Sequence, residues 1–191
     1  MSNQAVKSKP SLGNMPEWVK SIPKQYLAAK LDDHEYGPVL LDWLDDPEGG
    51  LITLTGPPGT GKTHMLYAVM KRLRHNNRPY QLLTAPEFCQ NARMYAMADG
   101  QERYWTKHLR EQQGHILLDD LGAEKTTDFV LQELYMLISY RELWGKPLLI
   151  TTNLSLDDIA KKLDDRIASR LAGGQVLEFT GTDKRLQRAK A

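Results

Sequence analysis

Residues Gly56 to Thr63 read Gly-Pro-Pro-Gly-Thr-Gly-Lys-Thr. This is the pattern Gly-x-x-x-x-Gly-Lys-[Ser/Thr], the Walker A loop, whose chemistry is the grip of a nucleoside triphosphate. Glycine supplies the φ freedom that turns successive N–H groups inward at phosphate oxygens. Pro57 and Pro58 have no N–H to donate, so they belong to the stiff outer half of the loop. The cradle is expected from the N–H groups of Gly59, Thr60, Gly61, Lys62 and Thr63, at the positive end of a helix that continues through His64. Lys62 is placed to reach the β- and γ-phosphates, and the Thr63 hydroxyl to ligate Mg2+. ATP and Mg2+ are therefore the expected cofactors, with Gly56 through His64 as the binding segment.

A second set of groups lies further along. Ile116-Leu117-Leu118-Asp119-Asp120 is an apolar run ending in two carboxylates. Such a strand delivers acids to the carboxyl edge of a sheet, beside a phosphate loop, in the Walker B manner. Asp119 is expected to hold Mg2+, through water, and Asp120 to orient or deprotonate the attacking water. Many ATPases have Glu at the second position; the shorter Asp120 leaves room for slow hydrolysis. Thr151-Thr152-Asn153 ends another strand, where the Asn153 amide can hold that water, or merely turn the chain. Asp165-Arg166-Ile167-Ala168-Ser169-Arg170 carries two arginines on a helix. Arginine suits stabilisation of a transferring phosphoryl group, so Arg170 is either a finger offered to a neighbouring subunit or a surface partner of Asp164 or Asp165.

These groups need a frame to hold them. Apolar, β-branched runs predict strands at 51–55, 80–84, 115–119, 148–152 and 176–180. Helical stretches separate them, one beginning at Asp33 or His34 and ending at Leu44, another from Thr127 to Trp144 with Val130, Leu134, Leu137 and Ile138 on one face and Gly145 just past its end. Strands alternating with helices predict a parallel sheet covered on both faces, an α/β fold. Residues 1–20 read as a flexible polar tail, and 21–191 as one domain.

Composition narrows the classes. The net charge of +1 gives no global field that would mark a nucleic-acid binder. Cys89 is the single cysteine, which excludes intrachain disulfides and cysteine-rich zinc sites. No run is apolar enough to cross a membrane and no signal peptide opens the chain, so a cytoplasmic location is expected. Within residues 102–110, Arg103, Lys107 and Arg110 fall at i, i+4 and i+7, one basic stripe beside Tyr104 and Trp105. Basic residues interleaved with aromatics suit single-stranded DNA; the alternative is a solvated face with the aromatics in the core.

The pieces GPPGTGKTH, ILLDDLG, LLITTNLS, DDRIASRL and VLEFTGTDKR, in this order, resemble an AAA+ ATPase of the DnaC/IstB-like helicase-loader group. The resemblance covers about Ile22 to Arg185. It implies a three-layer P-loop NTPase fold with a five-stranded parallel sheet. Most AAA+ proteins add a helical lid, but the stretch after Thr180 is too short for one, so no separate lid is expected. It also implies that Asn153 is the sensor-1 residue, Arg170 the arginine finger and Arg185 a sensor-2-like arginine that touches nucleotide. The stretch from Ile22 to Tyr26 resembles the segment that packs near the base.

The function implied by the resemblance is a DNA replication accessory ATPase. It would load a DnaB-type replicative helicase onto single-stranded DNA as an ATP-bridged homo-oligomer. The IstB-like alternative regulates transposition through duplex DNA and a transposase. A small P-loop kinase fits less well, given Asn153, the paired arginines and the missing lid. A switch that binds ATP without hydrolysing it is kept open by Asp120.

Overall fold

The computed structural model describes residues 17–46, 48–96, 104–123 and 127–183. A short helix α1 (Glu17–Lys20) and two 3-10 turns, Lys24–Tyr26 and Leu31–Asp33, lead into α2 (Gly37–Asp45). Then follow β1 (Leu51–Thr55), α3 (Lys62–His75), β2 (Tyr80–Thr84), α4 (Ala85–Ala96), α5 (Tyr104–Glu111), β3 (His115–Leu121), α6 (Asp128–Leu143), β4 (Leu148–Thr152), α7 (Leu156–Lys162), α8 (Asp165–Gly173) and β5 (Gln175–Glu178). The sheet order is β2-β3-β4-β1-β5, with every pairing parallel.

In the central strands β1, β3 and β4 the apolar runs follow from burial of both sheet faces, whereas the edge strands β2 and β5 stay partly exposed. Successive side chains still alternate. Ile116 and Leu118 join Leu134, Leu137, Ile138 and Ile167 on one face. Leu117, Leu149, Ile52 and Leu54 join Leu40, Leu66, Val69 and Leu73 on the other. The α6 face of Val130, Leu134, Leu137 and Ile138 is buried as its spacing predicts. Thr127 caps this helix by accepting from the Val130 N–H, and Ser155 and Asp164 cap α7 and α8 in the same way.

Three boundaries differ from the sequence reading by about two residues or more. The predicted helix from Asp33 or His34 begins at Gly37, because residues 31–33 form their own turn and Pro38 pre-sets the first helical turn. The last strand ends at Glu178 rather than Thr180. β3 extends to Leu121 through an irregularity: Leu118 faces Ile150 and Leu121 faces Thr152, so β3 carries one extra residue over that span. This is a β-bulge, and Asp119 and Asp120 lie within it.

Arg141 of α6 is fully buried and donates to the carbonyls of Leu109, Arg110, Gln112, Gly114 and Pro147. One guanidinium thus closes the C-terminal end of α5 and fixes the turn into β3, the strand that carries the two acids.

Candidate active site

β1, β3 and β4 are neighbours, and the candidate residues sit in the last residues of these strands or just beyond their carboxyl ends. A cavity of about 550 Å3 opens there, lined by Pro58, Gly59, Gly61, Lys62, Thr63, His64, Asp119, Asp120, Thr151 and Asn153. Its other wall is the N-terminal segment: Gln25, Tyr26, Ala28, Asp33 and His34.

The phosphate loop turns through left-handed glycines at Gly56, Gly59 and Gly61, with φ of 135°, 76° and 114°. Gly56 admits no side chain, since a Cβ would strike the Phe179 carbonyl after β5. Gly61 is the N-cap of α3 and offers no side chain to its first turn. Uncapped N–H groups at a helix start suit an anion. Pro57 and Pro58 are exposed on the outer side of the loop, and Thr60 is buried, its hydroxyl on the Pro57 carbonyl. The Lys62 ammonium donates to the carbonyls of Gly56 (2.6 Å) and Pro57 (2.7 Å), so it is held at the cavity by its own loop. The Asp183 carboxylate, five residues past β5, lies directly against Gly59.

Three side chains converge on the acids. Asp119 Oδ1 accepts from the Thr63 hydroxyl at 3.1 Å and from the Thr151 hydroxyl at 2.5 Å. Burial pushes the Asp119 carboxyl above the usual range, against the opposing pull of those two hydroxyls. Asp120 has φ of 63°, a left-handed conformation that costs a non-glycine residue on the order of 1 kcal/mol. Its N–H is bound by the Thr151 hydroxyl at 2.9 Å, and its Oδ1 accepts from the Asn153 amide at 2.8 Å. Asn153 is itself pinned from behind. Thr152 bridges the Leu121 carbonyl and the Leu154 N–H, and Thr55 donates to the Leu154 carbonyl.

The donor set fits a hard divalent cation held alongside phosphate. Thr63 and Asp119 offer adjacent oxygens, and Mg2+ is usually bound through one or two protein oxygens plus substrate phosphates and water. Among the described residues no group of three His, Cys, Asp or Glu forms a metal site built from protein alone.

Residues outside the motifs close the pocket. His64 pairs with Asp33 at 2.8 Å, and Tyr26 stacks on Tyr67 of α3 at 4.4 Å between ring centres. Lys71 donates to the Leu27 and Ala29 carbonyls, which ties the irregular N-terminal segment to α3. Nothing in local sequence marked Asp33 or His34 as cavity residues; they arrive there through the fold of that segment.

The other candidates are placed apart. Arg170 bonds Glu142 of α6 at 3.1 Å and does not line the cavity of its own chain. Asp164 pairs with Arg166 rather than Arg170, and Arg166 also lies over the Tyr135 ring. The expected basic stripe is broken at Arg110. That guanidinium is turned inward to the buried Glu133 and to Met136 Sδ, while Lys107 is exposed. Leu109 is buried and Trp105 partly so. Arg103 and Arg185 lie outside the described residues.

The model of the ATPase family associated with various cellular activities (AAA) matches residues 52–174, more than half of the chain. The chain belongs to the AAA family. The matched span runs from β1 to Gly174 and so takes in the phosphate loop, both acids, Asn153 and Arg170. This AAA chain is 33% identical over 117 residues to Rv3427c of Mycobacterium tuberculosis, named as an ATP-binding protein in an insertion sequence; the match covers 59% of this chain and 43% of the relative. The chain spans less than half the length of the curated relatives it matches at 30% identity or more. Among solved structures, its fold is similar to that of the DnaC helicase loader (TM-score 0.69, 24% identity, covering 83% of this chain and all of that one). It is also similar to the replication initiator DnaA bound to AMPPCP and single-stranded DNA (TM-score 0.71, 20% identity, 86% of this chain and 52% of that one).

Proposed function

We propose that this chain hydrolyses ATP and acts as a DNA replication accessory protein, loading a DnaB-type replicative helicase onto single-stranded DNA as an ATP-bridged homo-oligomer in the cytoplasm. The observation that carries the ATPase half is the convergence of Lys62, Thr63, Asp119, Asp120 and Asn153 on one cavity. Bound Mg2+ would neutralise charge on the β- and γ-phosphate oxygens. The loop N–H groups and Lys62 bind the triphosphate. Thr63 and Asp119 hold the cation, and Asp120, oriented by Asn153, positions water for attack.

Assembly is supported by Arg170. It stands outside its own chain's cavity, on a helix that presents it at the surface. An arginine so placed can serve a neighbour's γ-phosphate. Mixing Lys62→Ala with Arg170→Ala subunits tests this: the mixture should hydrolyse ATP faster than either alone. A mixture no faster than its parts would remove the finger assignment.

Loading is supported by the likeness in fold to the DnaC helicase loader along that structure's whole length. The test is the mass of the complex formed with a replicative helicase, with and without ATP and single-stranded DNA. A defined multimer, absent with Lys62→Ala, is the expected result. The similarity to a protein of an insertion sequence favours a second reading, an IstB-like regulator of transposition. ATP-dependent assemblies on duplex DNA without a helicase complex would establish it instead.

A further inference from the structure

We propose that Thr151 is a positioning residue of the hydrolytic site, whose single hydroxyl fixes the metal-side acid and the water-side acid together. The inference rests on reading the chain as an ATPase, and not on helicase loading.

The geometry is specific. Thr151 Oγ1 donates to Asp119 Oδ1 at 2.5 Å and accepts from the Asp120 N–H at 2.9 Å. Its one proton goes to Asp119, so its lone pair is free for Asp120. A bond of 2.5 Å to a carboxylate is in the short, charge-assisted class. Asp119 Oδ1 shares that acceptor position with Thr63 of the phosphate loop. Asp120 lies in the bulge of β3 with a left-handed backbone, and the Thr151 hydroxyl receives the N–H that the bulge removes from the ladder. Side-chain direction follows: Asp120 Oδ1 meets Asn153. Thr151 is 1% exposed in a strand whose preceding residues, Leu148, Leu149 and Ile150, are all apolar and buried. A hydroxyl there is kept only with partners, and both of its partners are acids of the site.

The hydroxyl therefore acts through Asp119 and Asp120 rather than on the nucleotide. Removing it should leave the phosphate loop intact, loosen the cation site and release the Asp120 backbone. Thr151→Val is close to isosteric and suits a buried strand, so it removes the hydroxyl without an obvious packing defect. Thr151→Ser keeps the hydroxyl and serves as the rescue.

Three quantities decide the matter in the full chain. These are ATP affinity in EDTA and in Mg2+, the kcat and KM of hydrolysis, and the exchange rate of the Asp120 amide in nucleotide-free protein, followed by 1H–15N NMR. For Thr151→Val the expected result is wild-type ATP affinity in EDTA and loss of the gain that Mg2+ gives. The fall in kcat should be about 10- to 100-fold, the range for loss of a group that orients a metal ligand. The Asp120 amide should exchange faster, and Thr151→Ser should restore all three. The proposal is overturned if Val retains kcat within about twofold, if Ser is as damaged as Val, or if Val weakens binding in EDTA as much as it lowers kcat. If the wild-type protein binds ATP but does not turn it over, the hydrolysis reading fails by itself. The positioning role is then judged on the Mg2+ dependence of binding and on Asp120 exchange.

Discussion

The side-chain amide of Asn153, just past the end of β4, donates to Asp120 Oδ1 of β3 at 2.8 Å. An acid forced into a left-handed backbone is thus aimed by an amide from the next strand, and that strand's end is anchored through Thr152 and Thr55. The pair has one donor hydrogen of Asn153 committed and a second N–H left over for a water molecule or a phosphate oxygen. Asn153→Ala should therefore lower kcat by about 100-fold with little change in ATP affinity, as when one preorganised donor is lost. Single-turnover hydrolysis beside equilibrium nucleotide binding measures both. Equal losses in binding and turnover would place Asn153 in the binding loop instead.

Lys62 should separate binding from folding. Its ammonium sits on two loop carbonyls at the edge of the cavity, where water can replace it. Lys62→Ala should cost about 1 kcal/mol or less in urea unfolding. Wild-type protein should gain about 2.7 kcal/mol when ATP is present at 100 times its Kd, and the variant should gain nothing at that concentration. A thermal shift retained in full by Lys62→Ala would contradict the phosphate role.

Arg141 is a buried cation that meets carbonyls rather than a carboxylate. Burial lowers its pKa to about 10, so it stays charged at neutral pH. The five carbonyls it binds belong to the end of α5, the turn into β3 and the residue before β4. Arg141→Met keeps the stem and strips the donors, leaving several buried acceptors without partners. The expected loss is about 3 kcal/mol in urea unfolding, with weakened ATP turnover from a misplaced β3. An unchanged midpoint would mean that water satisfies those carbonyls.

How far the sequence reaches is clear from these residues. Strands β1, β3 and β4 were readable because parallel strands buried on both faces are continuous apolar runs, and the acids after Leu118 were readable because carboxylates end such a run. The bulge was not, since a left-handed Asp120 leaves no mark in composition and exists only against the register of β4. Asp33 and His34 reach the cavity through 3-10 turns and through Lys71, a contact across more than 40 residues that no local pattern encodes. Arg110 shows the opposite failure. A stripe at helical spacing gives a shared face but not what that face meets, and Glu133 of α6 takes the guanidinium inward.

His115 should set part of the acid limit of stability. It opens β3 with its ring edge-on to Trp43 and buried to 7% exposure, and neither ring nitrogen has a hydrogen-bond partner. Burial lowers its pKa to about 4, helped by the nearby charges of Arg78 and Arg141. The unfolded chain takes up this proton near pH 6.5, whereas the folded protein resists until about pH 4. Between those values the unfolded state binds more protons, so stability falls as pH drops through the window. The full effect is about 3 kcal/mol, absent above pH 6.5 and complete near pH 4. Asp119 works in the other direction, because its raised pKa favours the folded state as it protonates. Comparison of variants isolates the histidine from this background. His115→Phe keeps an aromatic edge toward Trp43 and cannot titrate. Its urea midpoint should match or exceed that of the wild type at pH 7.5, and the gap should widen in its favour down to pH 4. Parallel curves across that range would show that His115 already takes up its proton in the folded protein.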